Sequence, residues 1–258
     1  MCLIVLAWRA HPDFPLIVAA NRDEFHRRPA APAAFWEDHP GILAGRDLEA
    51  RGTWMGVSRS GKFAAVTNYR GGAEARAVES RGALVSRFLS NGVPSGEYVR
   101  GLKATLYSGF NLLVADASEL WWMSNRGGEP RRLEPGIYGL GNTLLDAPEV
   151  ATIKQALSAE LKPAPAVEPL FSLLETAKIV HPEYGTRCST IMLKGSRTRY
   201  AERSFAPDGA AGETVHYEFG DGALTIWGSV PELRACAALP GDECRLPCTH
   251  PLPVQTHG

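Results

Sequence analysis

Long apolar runs are missing from this 258-residue chain. The opening run, Cys2 to Trp8, meets Arg9, His11, Pro12 and Asp13 almost at once. It is too short for a secretory leader, and no later stretch approaches the ~20 apolar residues that cross a bilayer. Stable membrane insertion is therefore not expected. An excess of one charge is also missing: 27 Lys and Arg face 28 Asp and Glu. Without a basic run, neither a nucleic-acid groove nor an anionic membrane surface is an expected partner. Cysteine is sparse and odd in number, at positions 2, 188, 236, 244 and 248. With no leader, that usage points to free thiols in a reducing cytoplasm. The run Cys244-x3-Cys248-x-His250 departs from zinc-knuckle spacing and sits among prolines, so no metal site is expected. A phosphate loop is absent too. Gly139-Leu140-Gly141 lacks the third glycine at Leu144, and no Gly-Lys-Ser/Thr occurs.

What is present is a hydrophobic content of 45% against 21% charged residues, ordinary for a chain that buries a core. Residues 2–9 read as a buried strand, and Leu16 to Ala20 as its hairpin partner running into Asn21-Arg22-Asp23-Glu24. Residues 28–50, rich in Pro and Ala, read as a long irregular connection. Residues 51–58 and 62–67 read as a second hairpin ending in Asn68-Tyr69-Arg70-Gly71-Gly72. Helical spacing follows over residues 80–89 and 95–107. A hairpin of 110–115 with 120–124 is next, its Trp121 and Trp122 facing opposite sides. A short strand over residues 137–143 ends at Asn142. Helices are expected over 148–161 and 168–177, and three strands over 187–193, 198–204 and 214–219. The order strands, paired helices, strands, paired helices, strands predicts an α+β fold. Two antiparallel sheets, each backed by a helix pair, make a four-layer α/β/β/α sandwich. It is expected as one domain over residues 1–230, followed by an extended Pro- and Cys-containing tail over 231–258.

Cys2 carries the chemical argument. Removal of Met1 would leave a thiol and a free α-amine on one residue. With ordinary pKa values near ~8.5 and ~8, the amine can take the thiol proton around neutral pH. The thiolate is the reactive form, so such a cysteine needs no separate histidine. The competing reading is a small apolar residue at the start of a strand.

Met1-Cys2-Leu-Ile, Ala20-Asn21-Arg22-Asp23-Glu24, Thr67-Asn68-Tyr69-Arg70, Gly141-Asn142 and Tyr184-Gly185-Thr186-Arg187 together resemble the NRDE family, also called the transport and Golgi organisation protein 2 family. That family is similar to the N-terminal nucleophile (Ntn) hydrolases, nearest to the choloylglycine and penicillin V hydrolases. The resemblance implies an Ntn-hydrolase-like sandwich and a catalytic set of Cys2, Asp23, Asn68, Asn142 and Arg187. Cys2 would be the nucleophile and Asp23 would orient its α-ammonium. Asn68 and Asn142 would form the oxyanion site, and Arg187 would lower the thiol pKa or hold a carboxylate. Asn21, Arg22, Tyr69 and Arg70 are candidate substrate-binding residues. One departure matters: Ala20 stands where the hydrolases carry arginine. Either Arg22 reaches the site through a local bulge, or the thiol lacks its usual cation.

Two functions follow from the resemblance. One is an amidohydrolase for a small acyl or linear amide, requiring no cofactor. The other is a carrier in haem trafficking or in acyl-lipid and acyl-CoA homeostasis. Haem would then be non-covalent cargo, for want of a Cys-x-x-Cys-His attachment signal, with His26, Tyr69 or Cys2 as a conceivable axial ligand.

Overall fold

The computed structural model describes residues 2–71, 77–162, 164–220 and 223–228. The tail expected over 231–258, with Cys236, Cys244 and Cys248, lies outside the described residues.

One seven-stranded antiparallel sheet begins with β1 (Leu3–Trp8) and β2 (Leu16–Phe25). The other comprises β3 (Ala30–Phe35), β4 (Ile42–Asp47), β5 (Met55–Ser58), β6 (Phe63–Asn68), β7 (Phe110–Ala115), β8 (Leu120–Ser124) and β9 (Arg131–Leu133), side by side in chain order. The chain then returns to the first sheet with β10 (Gly136–Leu140), β11 (Tyr184–Lys194), β12 (Thr198–Phe205), β13 (Ala211–Gly220) and β14 (Ala223–Gly228). Its strand order is β10-β1-β2-β11-β12-β13-β14. Helices α1 (Arg81–Ser90) and α2 (Ser95–Arg100) cover the second sheet; α3 (Ala151–Glu160) and α4 (Val167–Glu175) cover the first. This is the expected four-layer sandwich.

Period-two alternation sorts side chains into its three cores. Ile4, Leu6, Trp8, Leu16 and Val18 fill the space between the sheets, with Phe63, Leu113 and Trp122 opposite. Leu3, Val5, Ile17 and Ala19 face α3 and α4, where Leu157, Leu170 and Leu174 meet them. Trp121 joins Leu84, Val85 and Phe88 under α1. The adjacent tryptophans thus serve two different cores. Ser80 caps α1 by accepting from the Gly82 N–H at 3.3 Å.

Three expectations need correction. Residues 28–50 are not irregular: β3 and β4 form a hairpin there. Its prolines are tolerated because β3 is an edge strand, and Pro32 lies in the register shift between Ala31 and Ala34. The 95–107 helix stops at Arg100, and only a 3₁₀ turn (Ala104–Leu106) follows. Ser95, at the start of α2, donates its hydroxyl and N–H to Asp116 at 2.7 and 2.9 Å. Strand β5 begins at Met55 rather than at residue 51. Strands β9 and β14, both at sheet edges, add to the expected strands.

Candidate functional site

The start of β1 and the end of β2 lie side by side. Their ladder pairs Leu3 with Asn21 and Ile4 with Ala20, without irregularity. Alternation therefore carries Cys2 and Arg22 onto the inter-sheet face that Ile4 and Ala20 occupy, while Asn21 turns to the helix side. Asn21 is held there, donating to Leu174 O at 3.1 Å and accepting from Ser189 Oγ at 2.6 Å. Its side chain braces the sheet against α4.

The same geometry resolves the displaced arginine. Arg22 is two residues from Ala20, so both point the same way, and no bulge in β2 against β1 is needed. The irregularity falls on the neighbouring strand, where β11 shifts register between Thr186 and Cys188. Arg187 is the extra residue of that bulge. Its Nη1 donates to the carbonyls of Phe25 at 3.0 Å, His26 at 3.4 Å and Arg28 at 3.0 Å.

A cleft opens between the sheets at this end, lined by Cys2, Arg22, Asp23, Glu24, Trp54 and Asn68, with Arg28, Asp47 and the first turn of α1 around its mouth. Cys2 is partly buried, and its thiol donates to Asp23 O at 3.5 Å. Burial and then the Asp23 charge push the thiol pKa up; the hydrogen bond, the N-terminal ammonium and Arg22 pull it partly back. Asp23 is buried and its Oδ1 accepts from Thr186 Oγ1 at 2.6 Å. Tyr184 donates to Asp23 O at 3.2 Å. Burial, followed by the charges of Cys2 and Asp23, lifts the Tyr184 hydroxyl well above its ordinary value.

The second sheet contributes Asn68, exposed at the end of β6. The loop after β10 is stitched to that strand end. Thr67 Oγ1 donates to Gly141 O at 2.7 Å, Asn142 Nδ2 to Asn68 O at 2.7 Å, and Arg70 N to Asn142 O at 2.6 Å. Asn142 is buried and its amide is spent on Asn68, so it positions rather than faces the cleft. Tyr69 and Arg70 follow at the rim, Tyr69 N bonding to Gly109 O at 2.9 Å.

Trp54 closes the inner wall. The Arg22 guanidinium stacks over its ring at 4.3 Å. The edge of the ring lies against Gly45 of β4, where a Cβ would come within 2.3 Å of it, so only glycine leaves that space. Arg22 itself is 6% exposed, and its Nη1 is buried without a hydrogen-bond partner.

Of the expected set, Cys2, Asp23, Asn68 and Arg22 share one cleft, and Asn142 supports it from behind. Arg187 does not line it. Its guanidinium borders a neighbouring cavity beyond the Arg22–Trp54 wall. Sequence reasoning missed Trp54, Tyr184 and Thr186. Only the position of Tyr184 and Thr186 just before Arg187 hinted at the last two.

Two antiparallel seven-stranded sheets between helix pairs, with Cys2 at the head of the first strand, define an Ntn-hydrolase-like fold. A solved structure of the mutant C2A conjugated bile acid hydrolase from Clostridium perfringens shares it, with a TM-score of 0.50 over 89% of this chain and 92% of that chain, at 10% identity. Residues 1–207 match the family described as Transport and Golgi organisation 2, and the chain belongs to that family. It is 36% identical to the Transport and Golgi organization protein 2 homolog of Bos taurus and 35% identical to that of Homo sapiens, in each case over 85% of this chain and 99% of the relative. The Drosophila melanogaster Transport and Golgi organization protein 2 is 30% identical over 63% of this chain and 65% of its own length.

Proposed function

We propose that this protein is a cysteine amidohydrolase of the N-terminal nucleophile type, acting on the non-peptide C–N bond of a small polar amide. The observation that carries the reading is the meeting of Cys2, Asp23 and Asn68 from three strand ends in one cleft. With Met1 removed, the Cys2 α-amine accepts the thiol proton and the thiolate attacks the amide carbonyl. Asn68 donates to the tetrahedral oxyanion, with Asn142 holding the Asn68 backbone in register. Asp23, oriented by Thr186, stabilises the α-ammonium, which protonates the leaving amine. Water then cleaves the thioester, giving the acid and returning the thiol. Arg22 offsets part of the burial that keeps the thiol protonated. No step calls for a cofactor.

The charged lining favours this reading over a carrier of haem or acyl-lipid cargo. Arg22, Asp23, Glu24, Arg28 and Asp47 suit a polar amide better than a porphyrin or a long acyl chain. His26, the conceivable haem ligand, donates Nε2–H to His181 O at 2.9 Å, and its other ring nitrogen is buried. Among the described residues no helix is long and apolar enough to cross a membrane. A cytoplasmic setting fits the free thiols of Cys2 and Cys188.

The test joins intact-mass measurement with a panel of short acyl amides. The expected result is a chain lacking Met1 that releases amine from at least one of them, and a silent Cys2→Ala variant. Retention of Met1 in protein that still turns over, or equal turnover by Cys2→Ala, would refute the mechanism.

A further inference from the structure

A second cavity, of about 170 Å³, lies between the sheets beside the Cys2 cleft. Arg22 and Trp54 are the wall that the two spaces share. Arg187 and Cys188 enter it from β11, Glu202 from β12, and Ala31 from β3.

Its electrostatics are unbalanced. The buried Nη1 of Arg22 has no hydrogen-bond partner, although a desolvated guanidinium is costly to leave uncompensated. Arg187 is locked in place by three main-chain carbonyls; burial, followed by the Arg22 charge, lowers its pKa. The buried carboxyl that lines the cavity hydrogen-bonds neither cation. Glu202 is 3% exposed and already accepts from Ala33 N at 2.7 Å and Thr190 Oγ1 at 3.1 Å. Burial lifts its pKa and favours the neutral form, ahead of those bonds and of the Arg22 charge, which oppose it. Glu213 stands in solvent at the mouth. Among the described residues neither guanidinium makes an ion pair, and only the more distant charges of Glu202 and Glu24 act on Arg22 and Arg187. Apart from Ser204, the remaining walls, including Pro32, Phe205 and Val215, are apolar. The volume is close to that of a cavity holding one benzene.

We propose that this cavity binds a short-chain monocarboxylate, its head paired with Arg22 and Arg187 and its alkyl body against Pro32, Phe205 and Val215. A carboxylate matches the planar guanidinium forks, and the apolar walls suit a chain of a few carbons. The site does not depend on chemistry at Cys2.

The experiment uses the full chain with hexanoate, its uncharged isostere hexanamide, and inorganic phosphate. Hexanoate is expected to raise Tm saturably, while hexanamide and phosphate leave it unchanged. Cys2→Ala is expected to keep the hexanoate response, which separates this site from hydrolysis. Arg22→Met is expected to abolish the response yet raise the Tm of the ligand-free protein by a few degrees, because an apolar side chain replaces a buried unpaired cation. Peptide mapping after thiol alkylation gives a second readout. Hexanoate should slow modification of Cys188 by roughly tenfold or more, corresponding to ninety per cent occupancy or above, and leave Cys2 unaffected. An equal response to hexanamide or phosphate overturns the proposal. So does an unchanged hexanoate response in both Arg22→Met and Arg187→Met, or Cys188 modification indifferent to hexanoate.

Discussion

At the scale of single residues, the cleft sets thiol reactivity against catalysis. The Asp23 charge is the second cause, after burial, of the raised Cys2 pKa. Replacing Asp23 with Asn removes that charge and keeps an oxygen to accept from Thr186. More thiolate then forms at a given pH, so alkylation of Cys2 at pH 7.5 should accelerate roughly 3- to 10-fold. Amide turnover should fall in the same variant, because the α-ammonium loses its partner. If both rates fall together, Asp23 is holding the strand ends in place rather than tuning charge. The two asparagines separate in another way. Asn68 is exposed, so Asn68→Ala should change stability by less than about 0.5 kcal/mol while lowering kcat by ~10²–10³. Asn142 is buried and bonded, so Asn142→Ala should cost about 1–2 kcal/mol in urea unfolding as well as activity. Equal stability losses would remove the distinction between donor and support.

At the scale of elements, the cleft depends on strands meeting end to end, and on one contact across the second sheet. Gly45 of β4 makes room for the Trp54 ring, and that ring carries Arg22. Gly45→Ala should displace the indole, cost about 1–3 kcal/mol by overpacking, and shift tryptophan emission, although residue 45 makes no contact with substrate. An unchanged emission spectrum with wild-type activity would show that Trp54 is not held by this strand. Alternation and helical spacing made most of this architecture legible in advance. β1, β2, β6, β7, β8, α1 and α3 announce themselves by periodicity, and the polar ends of β2 and β6 marked the cleft. What stayed hidden has physical reasons. Edge strands such as β3 and β9 bury too few residues to impose a pattern, and prolines at an edge read as loop. The register shift at Arg187 is invisible to spacing, yet it moves that guanidinium out of the Cys2 cleft. Arg22 needs no bulge to reach the cleft, because it stands two positions after Ala20 and shares its face. Trp54 escaped notice because its role comes from Gly45, nine positions earlier on another strand.

At the scale of the whole molecule, partly and fully buried carboxyls of opposite behaviour should shape the stability curve. Asp116 accepts from Ser95 and from the Ser118 and Glu119 N–H groups, and these bonds outweigh its burial and hold its pKa well below the ordinary value. Asp47 is likewise held low: burial opposes, but Arg28 and the Ala50 and Glu49 N–H groups prevail. Below the ordinary aspartate range the unfolded chain takes up protons first, so their stabilisation is lost as pH falls. Glu202 acts the other way. Burial raises its pKa, so between about 4.5 and its folded value the native state keeps a proton that the unfolded chain has released. Stability must fall with rising pH through that window, by about 1.4 kcal/mol per unit crossed. Glu202→Gln keeps the shape and removes the titration. Its urea midpoint should therefore change less than that of wild type between pH 5 and pH 8, with the gap widening toward alkaline pH. Parallel curves for the two proteins would mean that Glu202 is ionised in the folded state. The Arg22 charge would then have its counter-ion within the fold, and the unbalanced cavity would lose its premise.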